Sequence, residues 1–115
     1  MPKQPPPIDL VENDNGRQIT YDLLLDGTGY EMTPSSVIEC HMTNTETGDV
    51  TTVTDCTEDP DQETNPGRVV TTFAAAQLVA GRYTLEWEVT DGSTVTTFPG
   101  VAAQRPTMTV RPEAG

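Results

Sequence analysis

The feature that most constrains this chain lies between Arg82 and Thr90, where Tyr83, Leu85, Trp87 and Val89 recur at every second position and Arg82, Thr84, Glu86 and Glu88 fill the places between. Side chains of an extended strand point alternately to its two faces, so these residues form one apolar and one polar face of a half-buried antiparallel strand. Asp91-Gly92 follows, a favoured two-residue type I′ turn. That turn pairs Thr90 with Ser93, Trp87 with Thr96 and Leu85 with Phe98, which adds Phe98 to the core and sets Val95 on the opposite face beside Glu88.

Weaker copies of the pattern run along the rest of the chain. Ile8 to Glu12 is a short edge strand, closed by the Asn13–Gly16 turn. Arg17 to Leu25 carries Ile19, Tyr21 and Leu23 on one face and ends at Asp26-Gly27-Thr28-Gly29. After a connection from Tyr30 to Ser36, Val37 to Thr43 alternates Ile38, Cys40 and Met42 against Val37, Glu39, His41 and Thr43. A turn at Glu46-Thr47-Gly48-Asp49 leads into a polar strand, Val50 to Asp55, of uncertain register. Thr57 to Gly67 is rich in acids and proline and reads as an exposed loop. Arg68 to Phe73 resumes a strand, Ala74 to Leu78 makes one helical turn, and Thr107 to Val110 is the last strand before Arg111-Pro112.

About seven to eight short strands with turn signals every 8 to 12 residues fit an all-β, immunoglobulin-like antiparallel β-sandwich, with a small barrel as rival. The predicted core comprises Tyr21, Ile38, Met42, Tyr83, Leu85, Trp87, Val89 and Phe98. Gly81-Arg82-Tyr83 resembles the approach to a tyrosine corner, although Leu85 stands where an antibody-type domain has its second cysteine. The 115 residues leave room for one core. The expected division is a proline-rich arm over 1–7, one domain over 8–112 and a tail over 113–115. Four prolines among the first seven residues keep the arm extended, and Pro5, Pro6 and Pro7 are its candidate partner-binding residues.

Charge narrows the function. Eighteen acidic against six basic residues give a net charge of −12, which repels phosphates and argues against nucleic acid as a partner. No apolar run approaches the roughly 18 residues of a membrane span, and the start has no apolar signal-peptide core, so folding in a cytosol without a membrane partner is expected. Cys40 and Cys56 lack zinc-site spacing. The Glu46–Asp49 turn would set Cys40 almost opposite Asp55, so a bridge to Cys56 needs a one-residue bulge, and in a reducing compartment two thiols are expected.

Catalytic signals are weak. His41 is the single histidine and points away from Cys40 across the sheet, which defeats a Cys/His dyad. Glu86 and Glu88 share a strand face about 7 Å apart, but a flat solvated face is a poor pocket. Asp55, Glu58, Asp59, Asp61 and Glu63 offer hard oxygen donors for calcium without EF-hand spacing, so the expected state is a solvated acidic loop. No cofactor and no enzyme activity are expected.

The ordered string AGRYTLEWEVTDGSTVTTFP, Ala80 to Pro99, together with Glu12 to Leu25, Val37 to Thr43 with His41-Met42, and Met108 to Pro112, resembles a family. It is similar to small immunoglobulin-like phage proteins of the type found as the N-terminal domain of baseplate upper proteins in tailed phages. The resemblance implies a non-enzymatic virion structural protein of the tail, baseplate or neck. It would be made in the host cytoplasm and bound in many copies to other virion proteins in a symmetric assembly. Capsid decoration is the alternative, and a host-surface carbohydrate-binding or adhesion module is a third reading.

Overall fold

The computed structural model describes residues 7–25, 27–33, 35–100 and 104–112, and these build a β-sandwich. In chain order the strands are β1 (Ile8–Val11), β2 (Arg17–Asp22), β3 (Leu24–Leu25), β4 (Thr28–Gly29), β5 (Val37–Asn44), β6 (Val50–Val53), β7 (Cys56–Glu58), β8 (Arg68–Phe73), β9 (Gly81–Asp91), β10 (Thr94–Phe98) and β11 (Thr107–Arg111). The larger sheet runs β1-β11-β9-β5-β6, with β10 sharing the flank of β9 beyond β11. The smaller sheet is β2-β8-β7, and β3 and β4 form a separate ribbon. Only β1 and β11 pair in parallel among the described strands. Pairing β2 with β8 in one sheet and β5, β9 and β10 in the other is the immunoglobulin-like arrangement.

Strand periodicity selects which residues enter the core. Ile38, Cys40 and Met42 of β5 face Val89, Trp87 and Leu85 of β9, and all six are buried. From the smaller sheet Val69, Thr71 and Phe73 meet them. Leu10, Leu23, Val53, Leu78, Tyr83, Phe98, Met108 and Val110 complete the cluster, and full burial of each large apolar side chain contributes roughly 1.5–3 kcal/mol. Tyr21 is half-buried, its ring stacked on Trp87 with centroids 4.2 Å apart. Trp87 also donates its indole N–H to the Thr71 hydroxyl at 2.9 Å, a hydrogen bond that ties one sheet to the other. Just upstream, the Tyr83 hydroxyl donates to the Val79 carbonyl at 2.6 Å and forms the tyrosine corner at the start of β9.

Several local expectations are corrected. The β9–β10 hairpin turns at Gly92-Ser93, not Asp91-Gly92: Asp91 pairs with Thr94, Thr96 with Val89 and Phe98 with Trp87. Gly92 has φ +62°, whereas Asp91 and Ser93 are not among the residues of positive φ, a type II′ pattern rather than I′. The slip is an even number of residues, so Phe98 stays on the core face while Val95 lies beside Thr90, not Glu88. The β5–β6 turn is also wider than expected. Asn44 accepts the backbone N–H groups of Glu46 and Thr47 on its side chain, so Thr43 pairs with Val50 and Cys40 with Val53. Arg17 to Leu25 is interrupted because the backbone of the fully buried Leu23 bonds to Gly67 and Tyr30, leaving Leu24 and Leu25 exposed in β3, and Asp26 of the expected turn lies outside the described residues. The expected loop from Thr57 begins as strand, because Cys56 to Glu58 add to β8 as β7.

Asp91 stays in the strand because it holds the connection before β5. Its carboxylate accepts hydrogen bonds from the Ser36 and Tyr30 hydroxyls, the latter at 2.5 Å. The Ser36 bond first, and the Tyr30 bond next, hold the Asp91 carboxyl below its ordinary range. A depressed folded-state value stabilises the fold above the unfolded carboxyl value of about 4, and that contribution is lost as pH falls through the folded value. Asp91→Asn should therefore lower the urea midpoint clearly at pH 7 and differ much less from the parent chain at pH 3. Equal differences at both pH values would refute this account.

Candidate functional site

The outward face of the larger sheet gathers most of the chain's site chemistry. Glu39 and His41 alternate with buried neighbours along β5, and Glu86 and Glu88 do so along β9. Because β5 and β9 are hydrogen-bonded neighbours, Glu39 lies directly opposite Glu88 and His41 opposite Glu86. Four ionisable side chains, all half-buried, thus share one two-by-two patch. His41 is bracketed, its Nε2 3.6 Å from Glu39 Oε1 and its Nδ1 3.8 Å from Glu86 Oε1. Both gaps exceed hydrogen-bond length. Arg105 reaches in from the segment before β11 and pairs Nη2 with Glu86 Oε2 at 2.9 Å, while its Nε is buried without a hydrogen-bond partner.

Among the described residues, Glu39, His41 and Glu88 are the one set of three metal-ligating side chains whose donor atoms all lie within 4.8 Å of one another. Sequence reasoning had Glu86 with Glu88 on one strand and His41 on another, and did not join them. The signal available was their shared outward parity, but the β5–β9 pairing spans more than forty residues and has no local signature. Toward one end of the same face, Val37 and Val95 flank Thr90 in register and are 56% and 55% exposed.

The five acidic residues considered for calcium are placed differently. Among Asp55, Glu58, Asp59, Asp61 and Glu63 no three carboxylates converge. Asp59 and Asp61 instead accept backbone N–H groups of their own loop, from Asp61 at 2.8 Å and from Thr64 at 3.2 Å. Cys40 and Cys56 are free thiols. Cys56 has crossed to the smaller sheet, where its S–H reaches the Val53 carbonyl at 3.4 Å. Burial pushes both thiols up, so they stay protonated and unreactive near neutral pH. Of the arm, Pro7 is exposed, and Pro5 and Pro6 lie outside the described residues.

Two open depressions lie on the described surface, one lined in part by Asn15, Asp55, Thr72 and Gln77 and another by Tyr30, Met32, Glu63 and Pro66. Neither contains the single histidine. Tyr30 packs against Phe98 in a T-shaped contact with ring centroids 5.1 Å apart, and its hydroxyl donates to Asp91 at 2.5 Å. The fold defines the class, an immunoglobulin-like sandwich with a polar, acidic sheet face. Compared with known proteins, the chain matches no family model, no curated protein and no solved structure.

Proposed function

We propose that this chain is a non-enzymatic structural module of a bacteriophage particle, acting through its outer sheet face and its proline-rich arm on other virion proteins. The observation that carries the reading is the string Ala80 to Pro99. It resembles the phage baseplate-type domains, and it supplies the core strand β9, the β9–β10 hairpin and half of the acidic patch. A net charge of −12 and the patch of Glu39, Glu86 and Glu88 favour a partner with a basic surface, while Val37 and Val95 add a small apolar contact. Many weak contacts of this kind hold a module firmly when copies repeat on a symmetric surface.

Particles purified from the host that carries this gene should contain the chain in many copies by quantitative mass spectrometry. Deleting residues 1–7 should leave the circular dichroism spectrum and melting temperature unchanged but reduce incorporation. Immunogold labelling distinguishes tail, baseplate or neck from the head surface, and label confined to the head would replace the adaptor reading with capsid decoration. Absence from particles would overturn the proposal.

A further inference from the structure

We infer that Glu39, His41 and Glu88 form a binding site for a divalent transition metal of the zinc class on the outer face of the larger sheet. Three independent features point there. The first is the donor geometry. Zinc bonds of about 2.0–2.2 Å at the tetrahedral angle separate neighbouring ligand atoms by roughly 3.3–3.5 Å. His41 Nε2 and Glu39 Oε1 already stand 3.6 Å apart, close to that spacing and too far for a hydrogen bond to each other. All donor atoms of the trio lie within 4.8 Å, so the widest pair has to close by at most about 1.4 Å, a movement available to a glutamate on a sheet surface.

The second feature is a like-charge pair with no lysine or arginine beside it among the described residues. Glu39 and Glu88 are direct cross-strand partners in the middle of the sheet, an arrangement that destabilises when both are ionised. Among the described residues Glu88 has no ion pair, and Arg105 is spent on Glu86. A cation seated between the two carboxylates turns that repulsion into attraction. Third, a carboxylate stands within reach behind the histidine. Its Nδ1 faces Glu86, which Arg105 holds in place, while Nε2 faces the Glu39 carboxylate of the proposed site. At 3.8 Å Nδ1 and Glu86 are not hydrogen-bonded, and a shift of a few tenths of an ångström on metal binding would let Nδ1–H donate to Glu86, which fixes the ring and strengthens it as a ligand. Glu86 and Arg105 are therefore positioning residues.

The donor set selects the metal. One imidazole and two carboxylates suit zinc or a related transition ion better than calcium, which takes six to eight oxygen ligands. Three protein ligands leave one position of a tetrahedral site open, and it faces away from the sheet. Water fills it in the isolated protein, and a side chain of a docked partner can replace that water. This inference does not rest on the particle reading.

His41 is the only histidine in the chain, so its ring signals in an NMR spectrum of tag-free protein report this site alone. Zinc chloride should shift or broaden those signals with saturation at one equivalent, and the same concentration of calcium chloride should leave them unchanged. By calorimetry, Glu88→Gln and His41→Ala should each weaken zinc uptake at least tenfold, while the double variant Asp59→Asn with Asp61→Asn binds as tightly as the parent. Zinc should raise the melting temperature of the parent chain and not of Glu88→Gln. His41 signals that ignore zinc, or that respond equally to calcium, would overturn the inference, as would uptake that survives Glu88→Gln unweakened. The NMR titration uses the unmodified chain, so poor folding of a variant does not blunt the test.

Discussion

Trp87→Ala should lower stability by about 3–5 kcal/mol, and the melting temperature by on the order of 10–20 °C, followed by far-UV circular dichroism in urea and in a thermal scan. Trp87 is fully buried on β9, opposite Cys40 on one side and Phe98 on the other, with the Tyr21 ring stacked across its face. Truncation removes the largest single contribution to the core and leaves a cavity bounded by both sheets, which cannot collapse onto it without moving strands. It also takes the indole donor from the fully buried Thr71 hydroxyl. Two further variants separate the effects. Trp87→Phe keeps most of the volume and should cost roughly 1–3 kcal/mol, partly through the Thr71 hydroxyl, which is left with only the weak Cys56 sulfur partner at 3.4 Å. Adding Thr71→Val to Trp87→Phe should then cost less than the two single changes combined, because no weakly satisfied buried hydroxyl remains. Strict additivity would mean that the bond between sheets contributes nothing beyond packing.

Gly67→Ala is expected to be far more damaging than an alanine at an open turn glycine of similar backbone. Gly67 has φ +81°, and a Cβ there would stand 2.4 Å from the Leu23 carbonyl oxygen and 2.8 Å from the Tyr30 amide nitrogen. Those atoms cannot yield, since Leu23 donates its N–H to the Gly67 carbonyl at 2.8 Å and accepts from the Tyr30 N–H at 2.7 Å. The approach is mutual: a Cβ on Gly29 would meet the Pro66 carbonyl oxygen at 2.3 Å. Two backbone segments cross here with no room for a side chain on either. Gly48 supplies the control, having φ +80° but nothing within 4 Å of a built Cβ. Gly48→Ala should cost only the left-handed backbone, about 1 kcal/mol, and Gly67→Ala at least roughly 2 kcal/mol more, read as the difference in urea midpoints at a common slope. Similar losses at both positions would show that the crossing relaxes easily.

The acidic loop and the hairpin mark how far local signals reach. Asn65-Pro66-Gly67 is legible as a turn from composition, yet nothing near it in sequence says that Leu23 and Gly29 pack against it. The Asp91-Gly92 dipeptide is legible as a hairpin signal, yet the turn moves on by one residue because Tyr30 and Ser36 hold the Asp91 carboxylate in the strand. Those hydroxyls come from a distant connection, so the competing interaction is invisible to any local rule. Cys56 is a similar case: it leaves the sheet of Cys40 altogether because β7 pairs with β8.

What the amino-acid sequence determined by itself was the parity of its strands. Ile38, Cys40 and Met42 face inward, as do Tyr83, Leu85, Trp87 and Val89, because a strand alternates and burial rewards the apolar side. The same parity put Glu39, His41, Glu86 and Glu88 outward. The tertiary structure alone decided that these two outward rows lie side by side, with Glu39 against Glu88 and His41 against Glu86. Side-chain alternation is a property of neighbouring residues along one strand. Pairing between strands far apart in the chain is settled by the closure of the whole sandwich around Trp87, and the candidate metal site exists only because of that closure.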